Sequence, residues 1–344
     1  MTRGAKWLVV TGTATTLALL PGTALADRRH GGSSQGSYEA SGKQSDGAIE
    51  SRITYAGSTR PSGSSSEAVT PVGDWTPPAC WYEPMSVAEF AGRMEKAYDT
   101  VVNDPRQPNY AKAGQAEFRD AYKDGKYHDY NKDDADKGSW WVATQDDSRL
   151  DEPGAWECDK LPFWVDNGVT PAVKNAVTPQ ILAELAYNRI KLPNTKVTFA
   201  PTATTKVNLP TWAWLDKARF KQVSVTAALN AAGVSIQATT TAKPVSLKLE
   251  PGTTDAETHP ASGACTINDD GSIGEPYAKG KADRTPPCGI TYLRSSGDGT
   301  YTLRATITWA ITWTGTGGAG GDLPDGTFGT TQDVTVQEIQ SVNR

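Results

Sequence analysis

Cys80, Cys158, Cys265 and Cys288 are the residues of this chain with the most definite chemistry. An even number of cysteines, no C-x-x-C spacing and only three histidines in all suit disulfides better than a zinc site, whose ligands come in close pairs. Three pairings exist on paper. Two cysteines fall in each half of the chain, so Cys80–Cys158 and Cys265–Cys288 are expected, each bridge stapling its own half. Closing the shorter loop is worth roughly 3 kcal/mol in the chain-entropy account.

Other reactive patterns are weaker. A serine hydrolase needs a histidine base held against its serine. His30, His128 and His259 fall in segments that read as tether or loop, and no G-x-S-x-G elbow occurs. Glycoside hydrolysis needs two opposed carboxylates; Glu83, Asp151, Glu152 and Glu157 are available, but nothing in their spacing marks out a pair. Asp129-Tyr130-Asn131-Lys132-Asp133-Asp134 carries oxygen ligands at positions 1, 3 and 5 of a calcium loop. Asp134 stands where glycine must make the turn, Trp140 where a bidentate glutamate belongs, and Lys132 and Lys137 oppose a cation. A solvated loop and no metal are expected there. Gly315-Thr316-Gly317-Gly318-Ala319-Gly320 matches G-x-G-x-x-G, but Gly321-Asp322-Leu323-Pro324 follows and cannot open the helix that receives a pyrophosphate. A glycine-rich hairpin loop, without nucleotide or other cofactor, is the expectation.

Eleven tryptophans raise a different chemistry, because exposed indoles on a sheet can stack on sugar rings. Trp309 and Trp313 share the apolar face of a strand and read as core. Trp75, Trp81, Trp140, Trp141, Trp156 and Trp164 gather around two cysteines, where packing on a disulfide is common. Trp212 and Trp214 share one face of a strand and are ambiguous. The candidate binding residues are therefore Trp212, Trp214, Trp140 and Trp141, with no catalytic residue assigned.

The elements that would position these residues follow from periodicity. Arg3 and Lys6 precede an apolar and small-residue run from Trp7 to Leu20, which Pro21 and Gly22 break. Ala24 and Ala26 then supply the small residues of a cleavage before Asp27, so residues 1–26 read as a signal peptide. Residues 27–74 are rich in Gly, Ser and scattered charge and read as a disordered tether. Ser86 and Glu89 form a capping box, and Val87, Phe90, Met94, Ala97, Tyr98 and Val101 predict a helix to about Asn103. A second helix is predicted over Ala113 to Tyr122. A third starts at the Thr178 cap with Pro179 in its first turn, and Ile181, Leu182, Leu185 and Ala186 form its apolar face. After Leu192 the period becomes two: Val197 and Phe199; Val207 and Leu209; Trp212 and Trp214; Val223 to Leu229; Val234 and Ile236; Val245 to Leu249; Tyr301 to Trp313; Val334 and Val336. The fold class is thus α+β: a small α-rich, disulfide-stapled N-terminal domain over 75–192, then an antiparallel, Ig-like β-sandwich over 193–344.

Net charge is −5, and no basic stripe suits nucleic acid nor any basic amphipathic helix a membrane surface. No cysteine follows the cleavage site to carry a lipid. Leu323-Pro324-Asp325-Gly326-Thr327 has the wrong order for a wall-sorting signal. The mature chain is expected to be soluble and secreted or associated with the cell envelope.

Three segments carry a resemblance: Trp75-Thr76-Pro77-Pro78-Ala79-Cys80-Trp81-Tyr82-Glu83-Pro84, Leu209-Pro210-Thr211-Trp212-Ala213-Trp214-Leu215, and Gly321 through Gly329. They are similar to a group of uncharacterised secreted actinomycete proteins, often labelled automatically "enoyl reductase" or "ATP/GTP-binding protein". Neither label fits the glycine motif of this chain. The resemblance implies an exported accessory to a membrane apparatus that engages a protein partner at the cell surface and carries no catalytic residues. A cell-wall or polysaccharide-binding module, with glycoside hydrolase activity in the α-rich half, is the alternative.

Overall fold

A computed structural model describes residues 38–43, 49–55, 67–192, 197–215 and 222–338. The expected signal peptide lies outside the described residues, as do 27–37, 44–48 and 56–66 of the expected tether. In chain order the first elements are β1 (Tyr38–Lys43), β2 (Ile49–Tyr55), β3 (Glu67–Ala68), β4 (Thr70–Pro71), β5 (Cys80–Met85), α1 (Val87–Val102) and α2 (Asn109–Lys123). They are followed by β6 (Gly138–Gln145), β7 (Phe163–Asp166), α3 (Pro179–Asn188), β8 (Lys191–Leu192), β9 (Thr198–Ala200), β10 (Thr204–Lys206) and β11 (Pro210–Leu215). The chain closes with β12 (Val223–Ala231), β13 (Val234–Glu250), β14 (Ala256–His259), β15 (Ala264–Thr266), β16 (Ile273–Gly274), β17 (Gly289–Tyr292), β18 (Tyr301–Gly315) and β19 (Gly320–Gln337).

The segment expected to be α-rich is mixed. Ser86 caps α1 by accepting from the Glu89 N–H at 3.2 Å, and Val87, Phe90, Ala91 and Met94 form its buried face. These pack near an antiparallel sheet in the order β5-β6-β7. Periodicity does not reveal this sheet because β5 is buried on both faces, which removes the polar positions that mark a half-exposed strand. Cys80, Tyr82 and Trp141 join the cluster of Cys158 and Val165 on one side. Met85 and Trp140 join Phe90, Met94, Tyr122 and Tyr130 on the other.

The larger sheet has nine strands among the described residues, ordered β1-β2-β12-β13-β18-β19-β10, with β15 on β13 and β4 on β19. Only β10 runs parallel to its neighbour. Leu303, Ala305, Ile307, Trp309, Ile311 and Trp313 of β18 are all buried, so the alternation in the sequence fixes that strand's register. β13 joins what reads as two strands. Its pairing with β18 shifts between Pro244 and Ser246, because proline has no N–H for the ladder and the extra residue is accommodated as an irregularity. Gly315 to Gly320 is the hairpin loop between β18 and β19, its central Thr316–Gly318 turn holding Gly317 at φ 76°. β19 also runs through the Gly- and Pro-rich stretch 320–329. There Gly326 lies against the Val69 side chain too closely to admit a Cβ, so glycine is required for β4 to pair.

The second sheet runs β14-β17-β11-β16, with β9 also paired to β11. Phe199, Ala213, Leu215, Ile290 and Tyr292 from this sheet share one core with Val225, Leu229, Leu247, Ile307 and Trp309 from the larger one. Leu182, Ala183, Leu185 and Ala186 of α3 belong to the same core, and Thr240 Oγ1 of β13 donates to Ala183 O at 2.7 Å.

Across the boundary expected at 192, Leu182, Ala183, Leu185 and Ala186 of α3 share one core with strands from β9 to β19. One expectation is corrected here. The segment 27–74 is not tether throughout: β1 and β2 extend the large sheet beyond β12, Ile53 pairs with Val225, and Ile49 is buried. Partner strands supply the hydrogen bonds that this polar segment cannot arrange alone.

Both disulfides form, Cys80–Cys158 across 78 residues and Cys265–Cys288 across 23. Loop entropy predicts that Cys80→Ala/Cys158→Ala costs about 4–5 kcal/mol and Cys265→Ala/Cys288→Ala about 3 kcal/mol, measured by guanidinium unfolding. Leu182→Ala, in the shared core, should cost about 3 kcal/mol. Tryptophan fluorescence and far-UV circular dichroism should then shift together in one transition; two separate transitions would show that the halves fold independently.

Candidate functional site

Three of the four candidate tryptophans are covered by their own chain. Trp140 is fully buried; Phe90 stacks on it at 4.5 Å, and Tyr122, Tyr127 and Trp164 meet it edge-on at 4.7–5.7 Å. Its Nε1 donates to Tyr130 O at 2.9 Å. Trp141 is buried in the cluster of the Cys80–Cys158 bridge. As ligand-binding residues these two are corrected to core: adjacent strand positions face opposite sides, and here both sides are packed.

The Tyr130 that receives Trp140 sits in the loop that resembled a calcium site. Asp129, Tyr130 and Asn131 all take left-handed backbone angles, φ 44°, 60° and 66°. Two of the loop's carboxylates are engaged by lysines, Lys132 with Asp129 at 2.9 Å and Lys137 with Asp134 at 2.6 Å. Among the described residues no group of three or more His, Cys, Asp or Glu is placed to hold a metal. The loop instead serves packing: Tyr130 Oη donates to Glu95 of α1 at 2.8 Å, and Arg119 Nε and Lys123 Nζ of α2 reach the same carboxylate at 2.8 and 2.7 Å. The Arg119 and Lys123 hydrogen bonds lower Glu95 to about 2. Burial, reinforced by the bond to Glu95, raises Tyr130.

A second polar knot organises residues 146–162. Asp146 is buried, caps Ser148 N at 3.1 Å and lies 3.6 Å from Arg189 Nη2. Arg149 is buried as well; its guanidinium donates to Pro77 O at 2.9 Å and forks onto Glu152 at 2.8 and 2.6 Å. Ala155 is buried, Cys158 is bridged to Cys80, and Lys160 N–H donates to Tyr82 Oη at 2.9 Å. Between these fixed points Trp156 faces out and is 62% exposed. Its Nε1 donates to Leu150 O at 3.0 Å, so the ring is held rather than free. Leu150 and Leu161 from the same segment are also exposed. Asp147, Asp151, Glu157 and Asp159 of the same segment are also exposed, Glu157 paired with Lys174 at 2.8 Å. Of the carboxylates considered for hydrolysis, Glu152 and Glu157 are thus engaged in ion pairs, while Glu83 is buried and accepts from Trp81 Nε1 at 3.0 Å.

Trp212 and Trp214 do share a face, turned away from the common core that Ala213 and Leu215 enter. Trp214 is half-buried there. Trp212 is buried because a strap, residues 275–288, crosses it. Tyr277 meets its ring edge-on at 6.1 Å and Lys281 Nζ lies 5.2 Å from its ring centre. Lys281 is also ion-paired with Glu275. Pro286 of the strap sits on Gly289, the residue paired with Trp212. His259, one of the histidines considered as a base, shares a hydrogen bond of 2.9 Å with Thr291 Oγ1, and His128 is exposed.

Sequence reasoning missed Trp156 as the exposed indole, Arg149 as the buried anchor behind it, and the strap over Trp212. The one sequence signal for the strap was its bracketing by Pro276 and Pro286-Pro287-Cys288. Comparison with known proteins adds no assignment: no protein-family model, curated protein or solved structure matches the chain.

Glu95 gives a pH prediction. Its folded value lies below its ordinary 4.5, so the stability it contributes is complete above the ordinary value and is lost as pH falls toward about 2. Glu95→Gln should therefore lower the melting temperature at pH 7, and the gap to wild type should narrow between pH 4.5 and 2 in a melting series. A gap independent of pH would remove Glu95 as the titrating link.

Proposed function

We propose that this chain is a secreted, non-enzymatic protein of the cell envelope that binds a protein partner through the Trp156 surface, as an accessory to a membrane apparatus. The observation that carries the reading is an indole 62% exposed to water yet fixed by a hydrogen bond and by a buried arginine, a disulfide and the Asp146-capped turn beside it. A rigid aromatic loses little conformational freedom on binding, which is why such residues dominate interface energetics. Covering the remainder of the ring and its leucine neighbours is worth about 2–3 kcal/mol at ordinary transfer values.

Asp151 and Asp159, exposed in the same segment, give this surface an acidic edge and indicate the partner's chemistry: an apolar socket edged by lysine or arginine. Such a rim acts mainly on the association rate and weakens with salt. Two disulfides suit an oxidising compartment. Two sheets over one core suit the Ig-like sandwich of this reading, as does the crossing of the chain into the second sheet between β13 and β18. The resemblance to secreted accessory proteins points the same way. A glycan-binding module needs a row of open indoles, and Trp140, Trp141 and Trp212 are closed by their own chain.

The test compares the full exported chain with its Trp156→Ala variant in recovery of a partner from detergent-solubilised membranes and in binding to purified cell wall. Wild type should retain a specific membrane protein, and Trp156→Ala should bind it at least tenfold more weakly, about 1.4 kcal/mol or more, with an unchanged circular dichroism spectrum. Equal binding by the variant, or recovery on wall alone with competition by soluble glycan, would overturn the proposal.

A further inference from the structure

The strap over Trp212 has the make-up of a cation site. An ammonium is recognised by aromatic faces set at an angle to each other, helped by a carboxylate. Here the Trp212 and Tyr277 rings stand 6.1 Å apart at 70°, and the Lys281 ammonium lies 5.2 Å from the Trp212 ring centre while paired with Glu275. The occupant comes from the chain itself.

We propose that Trp212, Tyr277 and Glu275 form a binding site for an alkylammonium group, and that Lys281 is its internal occupant, displaced when an external ammonium binds. Three features of the strap support displacement over permanent packing. Its ends are fixed, by the pairing of Gly274 with Trp214 and by the Cys265–Cys288 bridge. Its middle is held by turns within itself, Lys281 N–H to Ala278 O at 3.2 Å and Arg284 N–H to Lys281 O at 3.1 Å. A segment of that kind opens locally without disturbing the core. Tyr277 and Glu275 are themselves exposed, so the site borders water on the side from which a ligand would arrive.

The Trp212 indole adds an independent sign of a ligand. It is 2% exposed, and its Nε1 has no hydrogen-bond partner among the described residues. A buried donor left unpaired is costly, and an acceptor carried next to the ligand's ammonium would satisfy it. The ligand class is thus a primary or quaternary ammonium with a neighbouring oxygen acceptor. This site lies on β11 and the strap over it, whereas Trp156 lies in the Pro153–Trp156 turn, and it does not rest on the role proposed for that residue.

The experiment follows the Trp212 indole N–H resonance in the full exported chain, assigned with Trp212→Phe, during titration with tetramethylammonium, methylammonium or sodium chloride at matched ionic strength. Lys281→Ala should bind an organic cation saturably and at least tenfold more tightly than wild type. Adding Glu275→Gln to it should weaken binding at least fivefold, more for methylammonium if the natural ligand is primary. Wild type, which needs no altered strap, should show the same shift at higher cation concentration. Sodium chloride matching the organic cations, or no saturable shift in either wild type or Lys281→Ala, would overturn the site and leave Lys281 as a packing residue.

Discussion

The core shared by α3 and two sheets is the constraint on which the other features depend. α3 lays Leu182, Ala183, Leu185 and Ala186 onto strands that begin more than thirty residues later in the chain, and the small sheet closes part of the same apolar volume. Burial of this kind is non-directional and scales with area, so by itself it would tolerate several arrangements. Specificity comes from the polar terms that accompany it, such as the Thr240 bond to the Ala183 carbonyl and the long antiparallel ladder of β13, β18 and β19. With those in place, residues 80–166 have a fixed base, and the loops they carry can be held rigidly.

Much of this scaffold was legible in the sequence, and the legible parts share a cause. α1 was readable from its capping box and one-sided apolar period, and β18 from strict alternation, because each has one wet and one dry face. The disulfide pairing was readable from the division of cysteines between halves. β5 and β6 were not, because both faces are buried and the pattern vanishes. β1 and β2 were not, because their order comes from pairing, β1 with β2 and β2 with β12. The apolar face of α3 was plain, but a face does not state what it packs against, and the core it shares with the strands beyond 192 was therefore not read.

The candidate site shows the same limit more sharply. Spacing placed Trp212 and Trp214 on one face correctly, yet whether that face is open depends on a strap with no period of its own. Trp156 was grouped with its tryptophan neighbours near the cysteines, and nothing in its local sequence separates it from them. Its exposure follows from Arg149 and Cys158 turning inward on either side, a consequence of three-dimensional anchoring.

Trp156 and Trp212 are opposite solutions to one problem, the cost of an indole in water. Around Trp156 the chain secures the backbone on both sides, holds the ring through its bond to Leu150 O and leaves the rest of it open, so its apolar surface gains free energy only when something covers it. Around Trp212 the chain places its own cation and tyrosine on the ring, which lowers the energy of the free protein and makes any external ligand compete with Lys281. The first suits a contact that should form readily on encounter. The second suits a contact that should form only with a ligand whose ammonium binds better than the chain's own. One scaffold therefore presents an open aromatic surface and a closed one, and the difference between them lies in the loops rather than in the sheets beneath.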